Sequence, residues 1–376
     1  MFLVGVFNAS TYPYQSLIAI EVIGLSKPAF ALLLVLASVT AVSASVVSGI
    51  LGDQLGKRRL IALVATVSSL LGMGLMLVAP SPLTLILCHG ILVPIGSSIF
   101  GQLFALARLA YPSPEGRDGI LAAVRAALSL AFLAMLIFWT FAFGADVGVM
   151  AVYVSGGLAA LGLVTLILLQ WPRDGRTEWA DARSGLNFRQ AFKEIAAPYV
   201  LVRLLLLGAI SSAGGLYMTV ISLVFDQSAQ RGAADVALYV GLVAGWEVPC
   251  LILLPRLGRY FKRSTLISLG VAVYCLHVLA LPLLAASPLI WGMTLVAGVG
   301  GTAMLALPVA YYQDLLQGRP GTAGAMLALQ KLVSDVLVAL AFAVGTTIGG
   351  YTTVAVIGVS VALIGAAGLL WVDRRL

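Results

Sequence analysis

Charge is scarce in this chain: Asp, Glu, Lys and Arg together make up 10% of its 376 residues. That is too little polar surface to solvate a soluble domain of this length, which excludes the ordinary cytosolic enzyme or binding module. Histidine is nearly absent, with two residues. The three cysteines, Cys88, Cys250 and Cys275, fall inside apolar runs without C-x-x-C spacing. Neither a disulfide framework nor a zinc site is indicated, and no metal is expected. There is no H-E-x-x-H, no phosphate-binding loop and no polar loop large enough for a catalytic site, so the chain reads as a non-enzyme that needs no cofactor. Gly298-Val299-Gly300-Gly301 lies within an apolar run and reads as close helix packing rather than phosphate binding. The opening Met1-Phe2-Leu3-Val4 lacks the basic flank and the small-residue cleavage site of a signal peptide, and so reads as the start of a first membrane span.

What the sequence does have is apolar length. Hydrophobic residues reach 61% and mean hydropathy is +1.07, so the expected solvent is a lipid bilayer. A spanning helix needs roughly 20 apolar residues. Twelve such runs are expected, at about 1–20, 28–51, 60–79, 83–108, 118–143, 147–170, 197–225, 234–255, 264–286, 288–313, 322–344 and 350–371. Turns rich in proline and glycine, such as Ala79-Pro80-Ser81-Pro82 and Gly318-Arg319-Pro320-Gly321, separate them. The expected fold is all-α and integral to the membrane, with twelve transmembrane helices in two pseudo-symmetric six-helix bundles, 1–170 and 197–376, joined by a cytoplasmic linker at 171–196.

The net charge of +7 would suggest nucleic acid only if the basic residues formed one face or tail. Instead, 17 of the 22 Lys and Arg fall in alternate loops and the C-terminal tail. Lys27 and Arg231 lie in the opposite set, while Arg125, Arg203 and Lys331 lie within spans. This is the positive-inside distribution, which puts both termini in the cytoplasm and excludes nucleic acid as a partner. An offset of about 206 residues carries Lys57-Arg58 close to Lys262-Arg263 and Arg125 onto Lys331, as a duplicated half would. By the same offset the first span is about ten residues short, so either the true start lies upstream or this copy is truncated.

Between spans two and three runs Gly49-Ile50-Leu51-Gly52-Asp53-Gln54-Leu55-Gly56-Lys57-Arg58-Arg59. It resembles the cytoplasmic loop signature of the major facilitator superfamily, G-x-L-x-D-x-x-G-[RK]-[RK]. Gly49 and Gly56 permit a tight helix end, and Asp53 can pair with Lys57, Arg58 or a helix terminus. Those five residues are the candidate conformational latch. The second-half copy, Leu254 to Arg263, keeps the charges and lacks the aspartate.

A narrower resemblance is carried by Gln102-Leu103-Phe104-Ala105-Leu106-Ala107-Arg108, by Arg125-Ala126-Ala127-Leu128-Ser129-Leu130-Ala131, and by Tyr311-Tyr312-Gln313-Asp314-Leu315-Leu316-Gln317-Gly318-Arg319-Pro320-Gly321. Together these look like the sugar efflux transporter family. The resemblance implies export of sugars or similar small polar solutes against protons, in a bacterial inner membrane, by a monomer. Two departures stand against full inheritance. Met135-Leu136-Ile137 replace the family's Gly-Pro-Pro bend, and Leu109 replaces an acid. Efflux of lipophilic drugs or a natural product is the competing expectation.

An ionisable group at the bilayer centre costs about 2.5–3.5 kcal/mol on insertion scales, so a retained one faces a cavity or a partner. Arg125 and Glu247 share a depth of about 10–12 Å from the cytoplasmic ends of spans five and eight, at 1.5 Å per residue. They are expected to pair, either as a charge switch or as a static clasp. Lys331 and Asp335, four apart on span eleven, share a helix face and form either a self-neutralising pair or a coupling site. Glu247, Asp335 and Lys331 are therefore the proton-coupling candidates. Sugars call for amides, hydroxyls and aromatic faces, and the substrate-binding candidates are Tyr12, Gln15, Gln102, Arg125, Tyr217, Gln313 and Gln330. His277 is expected on a lipid-facing scaffold helix, hydrogen-bonded to a neighbouring helix rather than functional, and Arg203 is expected to snorkel to the cytoplasmic surface.

Overall fold

The computed structural model describes residues 1–110, 114–173, 197–315 and 320–374, and among these every regular element is helical. The long helices are α1 (Phe2–Thr11), α2 (Lys27–Leu55), α3 (Arg58–Val78), α4 (Ile99–Ala110), α5 (Pro114–Gly144), α6 (Val152–Gln170), α7 (Pro198–Asp226), α8 (Ala233–Leu257), α9 (Arg263–Leu284), α10 (Met293–Leu315), α11 (Pro320–Ile348) and α12 (Gly350–Asp373). Two spans are interrupted. Beyond α1 the chain continues through a tight 3-10 turn, Tyr12–Tyr14, and a wide π segment, Ile18–Val22. α4 is preceded by Pro82–Leu85, a second π segment, Ile86–Leu92, and Val93–Gly96. Proline at 13 and 94 removes an amide donor in each region.

Among the described residues, eleven helices are long and apolar enough to cross a membrane. The first span falls outside that set because its interruptions leave no helix of sufficient length. The other boundaries lie within several residues of those expected. α5 runs unbroken through Met135-Leu136-Ile137, so the loss of Gly-Pro-Pro goes with an uninterrupted helix.

The chain divides into two compact units, Met1–Leu25 with Leu36–Gly185, and Ser26–Val35 with Leu186–Leu376. In the first, α1 packs on α5 and α6, and α3 on α6 and on the span containing α4. In the second, α7 packs on α11 and α12, and α9 on α12 and α10. Adding six to each helix number converts the first set of pairings into the second. The duplicated half is thus visible as repeated packing as well as repeated charge.

Lipid tails are as apolar as leucine, so these helices associate through close packing and buried hydrogen bonds rather than through expulsion of water. In the first unit Ser10 of α1 receives the Trp139 indole N–H at 3.2 Å and the Ser155 hydroxyl at 2.8 Å, joining α1, α5 and α6. In the second, Gly300 of α10 lies so close to α9 that a methyl group there would stand 2.5 Å from the Tyr274 amide nitrogen. The Gly298–Gly301 run is therefore helix packing, as the sequence reading holds.

Candidate functional site

At the end of α2, Gly56 has φ +63, a left-handed conformation that glycine adopts without penalty. Its amide returns to the Gly52 carbonyl at 3.1 Å, closing the helix before α3 opens at Arg58. Gly52 serves a different need: a methyl there would lie 3.0 Å from Arg58 Nη1 and 3.5 Å from Gln102 Oε1. Gln102, 2% exposed on α4, donates from Nε2 to the Ser48 carbonyl at 3.2 Å. The geometry makes Gln102 a brace for the motif-bearing end of α2, a role that its selection as a sugar ligand does not anticipate. Lys57 follows this turn, and Gly49 lies about two helical turns back on α2. The side chains of Asp53, Arg125 and Gln313 lie outside the described residues.

The basic residues of α3 and α9 tie down neighbouring helix ends. Arg59 donates to the Ile167 and Leu168 carbonyls at 3.2 and 2.7 Å. Arg263 bonds the Ala310 carbonyl at 2.9 Å and pairs with Asp314. The two basic residues placed in the opposite set are also held. Lys27 Nζ lies 5.1 Å over the Tyr351 ring. Arg231 donates to the Ala285 and Ser287 carbonyls at 3.0 and 3.2 Å and covers Trp291 at 5.1 Å.

One expectation changes. Arg203 does not snorkel: it is 4% exposed and pairs with Asp373 of α12 at 3.0 Å, while its Nε reaches the Tyr311 hydroxyl of α10, also at 3.0 Å. Tyr311 donates to the same carboxylate. The Asp373 carboxylate and the Tyr311 hydroxyl offset the desolvation of the buried guanidinium. His277 makes the expected hydrogen bond to a neighbouring helix: it is fully buried, its Nδ1 lies 2.9 Å from the Tyr239 hydroxyl of α8, and its ring meets Tyr217 and Tyr274 at centroid distances of 4.8 and 5.1 Å.

This aromatic cluster sits beside Glu247. A methyl on Gly301 would stand 3.2 Å from Glu247 Oε1 and 3.2 Å from Tyr274 Cε2, so carboxylate and phenol ring flank one bare Cα. Four helices, α7 to α10, thus converge on a carboxylate, three tyrosines and an imidazole. The Tyr217 hydroxyl and His277 Nε2 are buried there without a hydrogen-bond partner among the described residues.

Lys331 and Asp335 form the expected one-face pair at 2.7 Å, with the lysine side chain 64% exposed and the aspartate 19%. Immediately before Lys331, Gln330 is 6% exposed and donates from Nε2 to the Ser211 hydroxyl of α7, leaving Oε1 without a partner among the described residues. Tyr12 is 42% exposed, Gln15 is half-buried and Tyr217 is fully buried. The sequence reading omitted Asp373, Tyr239 and Tyr274. Asp373 precedes Arg374-Arg375 and reads as tail charge; the one available signal was its position at the same membrane face as Arg203.

The family profile of the Major Facilitator Superfamily matches residues 1–341. The chain belongs to that superfamily. A curated relative from Deinococcus radiodurans, named "Putative sugar efflux transporter", is 23% identical over 389 residues, covering 99% of this chain and 96% of its own length. Two solved structures share the fold. The nucleoside transporter NupG superposes with a TM-score of 0.79 at 13% identity, over 99% of this chain and 97% of that one. A POT family transporter bound to a thioalcohol-conjugated peptide gives 0.79 at 13%, over 100% and 95%. This superfamily member is accordingly a multi-pass membrane transporter of small solutes built on the twelve-helix, two-bundle fold, and not an enzyme.

Proposed function

We propose that this superfamily member exports sugars or sugar-like small polar solutes by alternating access, in exchange for protons. The end-to-end match to the Deinococcus relative carries this reading. Unsatisfied hydrogen-bonding atoms on Tyr217, Gln330 and Gln102 support a polyhydroxylated cargo. Tyr12, Gln15, Arg125 and Gln313 complete the proposed substrate set. Glu247 and Asp335, the latter with Lys331, are the coupling carboxylates, and Gly49, Asp53, Gly56, Lys57 and Arg58 are the latch. The basic-residue distribution supports a bacterial inner-membrane protein with both termini cytoplasmic, working as a monomer. The proposed division is 1–170 and 197–376 as transport bundles, with 171–196 as the linker.

The test is transport by purified protein in proteoliposomes loaded with labelled lactose or a thiogalactoside under an imposed pH gradient, for wild type, Glu247→Gln and Asp335→Asn. Gradient-driven sugar flux that is lost in either variant supports proton-coupled export and locates the carboxylate. Folded protein that moves lipophilic cations and no sugar would replace this reading with drug efflux.

A further inference from the structure

We propose that Tyr239, His277 and Tyr274 form a proton relay that joins Glu247 to the end of the second unit carrying the α7–α8 turn. The inference rests on the proton-coupled reading above and assigns the route by which Glu247 is served.

The residues stand in sequence between that end and the carboxylate. Tyr239 lies six residues into α8 and Glu247 fourteen, about 12 Å further along at 1.5 Å per residue. Arg231 and Asp235 mark the rim, and Arg231 covers Trp291, whose ring meets Tyr239 at 6.0 Å. Tyr239 bonds His277 Nδ1 at 2.9 Å, His277 touches Tyr274 at 5.1 Å between centroids, and Tyr274 shares the Gly301 surface with Glu247.

Imidazole suits the central position because it can accept a proton at one ring nitrogen and release one from the other. His277 meets both requirements: Nδ1 is engaged by Tyr239, and Nε2 is buried, 0% exposed in its residue, without a partner. The Tyr217 hydroxyl, on a ring 4.8 Å away, is equally unpartnered. A buried polar atom without a partner is costly, and a bridging water or a passing proton offsets that cost for both. His89 provides the contrast. It is bonded through Nε2 to Tyr153 at 2.8 Å and leaves no buried nitrogen without a partner. The titratable side chains in contact with His277 are Tyr217 from α7, Tyr239 from α8 and Tyr274 from α9 itself. Cys275 is two residues away on α9, and His277 makes no ring or hydrogen-bond contact with a titratable group of α10 or α12 among the described residues.

The transfer balances as a hop. Tyr239 is itself 0% exposed, so the proton enters by way of water at the Arg231–Asp235 rim. The Tyr239 oxygen takes it up as the hydroxyl passes its own to Nδ1, and the proton on Nε2 leaves, through water at Tyr217 and Tyr274, to the Glu247 carboxylate. One proton moves from bulk to Glu247, no other group changes charge, and reorientation of the hydroxyl and ring resets the chain.

The experiment uses reconstituted full-length protein, a pH jump on the α7–α8 side, and time-resolved infrared detection of the Glu247 carboxyl band, assigned by its loss in Glu247→Gln. It is independent of which solute is transported. In Tyr239→Phe and His277→Phe the band is expected to reach wild-type amplitude at least tenfold more slowly. Tyr239→Phe deletes one oxygen and keeps the ring packing, so it decides the matter if His277→Phe does not fold. A band that appears at the wild-type rate in the folded variants overturns the relay and leaves proton coupling intact. A wild-type protein with no band change on the pH jump overturns the coupling role of Glu247, and the relay with it.

Discussion

Replacing Asp373 by Asn isolates the charge that holds three helices of the second unit together. Arg203 is 4% exposed, its Nη2 lies 3.0 Å from Asp373 and its Nε reaches Tyr311, which also donates to the carboxylate. Removing one partner of a buried ion pair costs about 3–5 kcal/mol, because the remaining charge stays desolvated. Two features reduce that figure here. Arg203 keeps the Tyr199 carbonyl at 2.9 Å and the Tyr311 hydroxyl, and Asp373 is 12% exposed at the end of α12. We expect a loss of about 2–3 kcal/mol for Asp373→Asn and a similar loss for Arg203→Met. The double variant should lose markedly less than the two single losses combined, since no charge is then stranded. The assay is thermal and denaturant unfolding of detergent-purified protein, followed by tryptophan fluorescence and monodispersity. Single variants as stable as wild type would refute the burial argument. Additive losses in the double variant would show that the two groups contribute independently.

Two further outcomes follow from backbone geometry. Gly56→Ala places a side chain at φ +63 and should cost about 1–2 kcal/mol; because the strain sits in the loop motif, the initial transport rate should fall more than the melting temperature, with Gly101→Ala, where nothing lies within 4 Å of an added methyl, as the control. Gly300→Ala would set a methyl 2.5 Å from the Tyr274 amide and 2.7 Å from the Gly270 carbonyl; overpacking of about 1–3 kcal/mol should lower the yield of monodisperse protein, and an unchanged yield and melting curve would contradict the close α9–α10 approach.

The sequence by itself determined the solvent, the number of spans, the duplicated halves and the loop motif between spans two and three. These follow from composition and one-dimensional spacing: run length against bilayer thickness, the side on which charges fall, and fixed offsets between glycine, aspartate and arginine. The Lys331–Asp335 pair was legible for the same reason, because four residues along a helix bring two side chains onto one face. Partners on different helices were not legible. Arg203 finds Asp373 across 170 residues, Gln102 finds the Ser48 carbonyl, and His277 meets Tyr239 and Tyr217 only once α7, α8 and α9 have packed. The direction in which His277 points depends on a few tens of degrees of helix rotation, which an almost uniformly apolar span does not encode. Glycine at 300 and 301 and the surrounding aromatic rings fix that rotation, because close contact between helices is decided by shape in three dimensions.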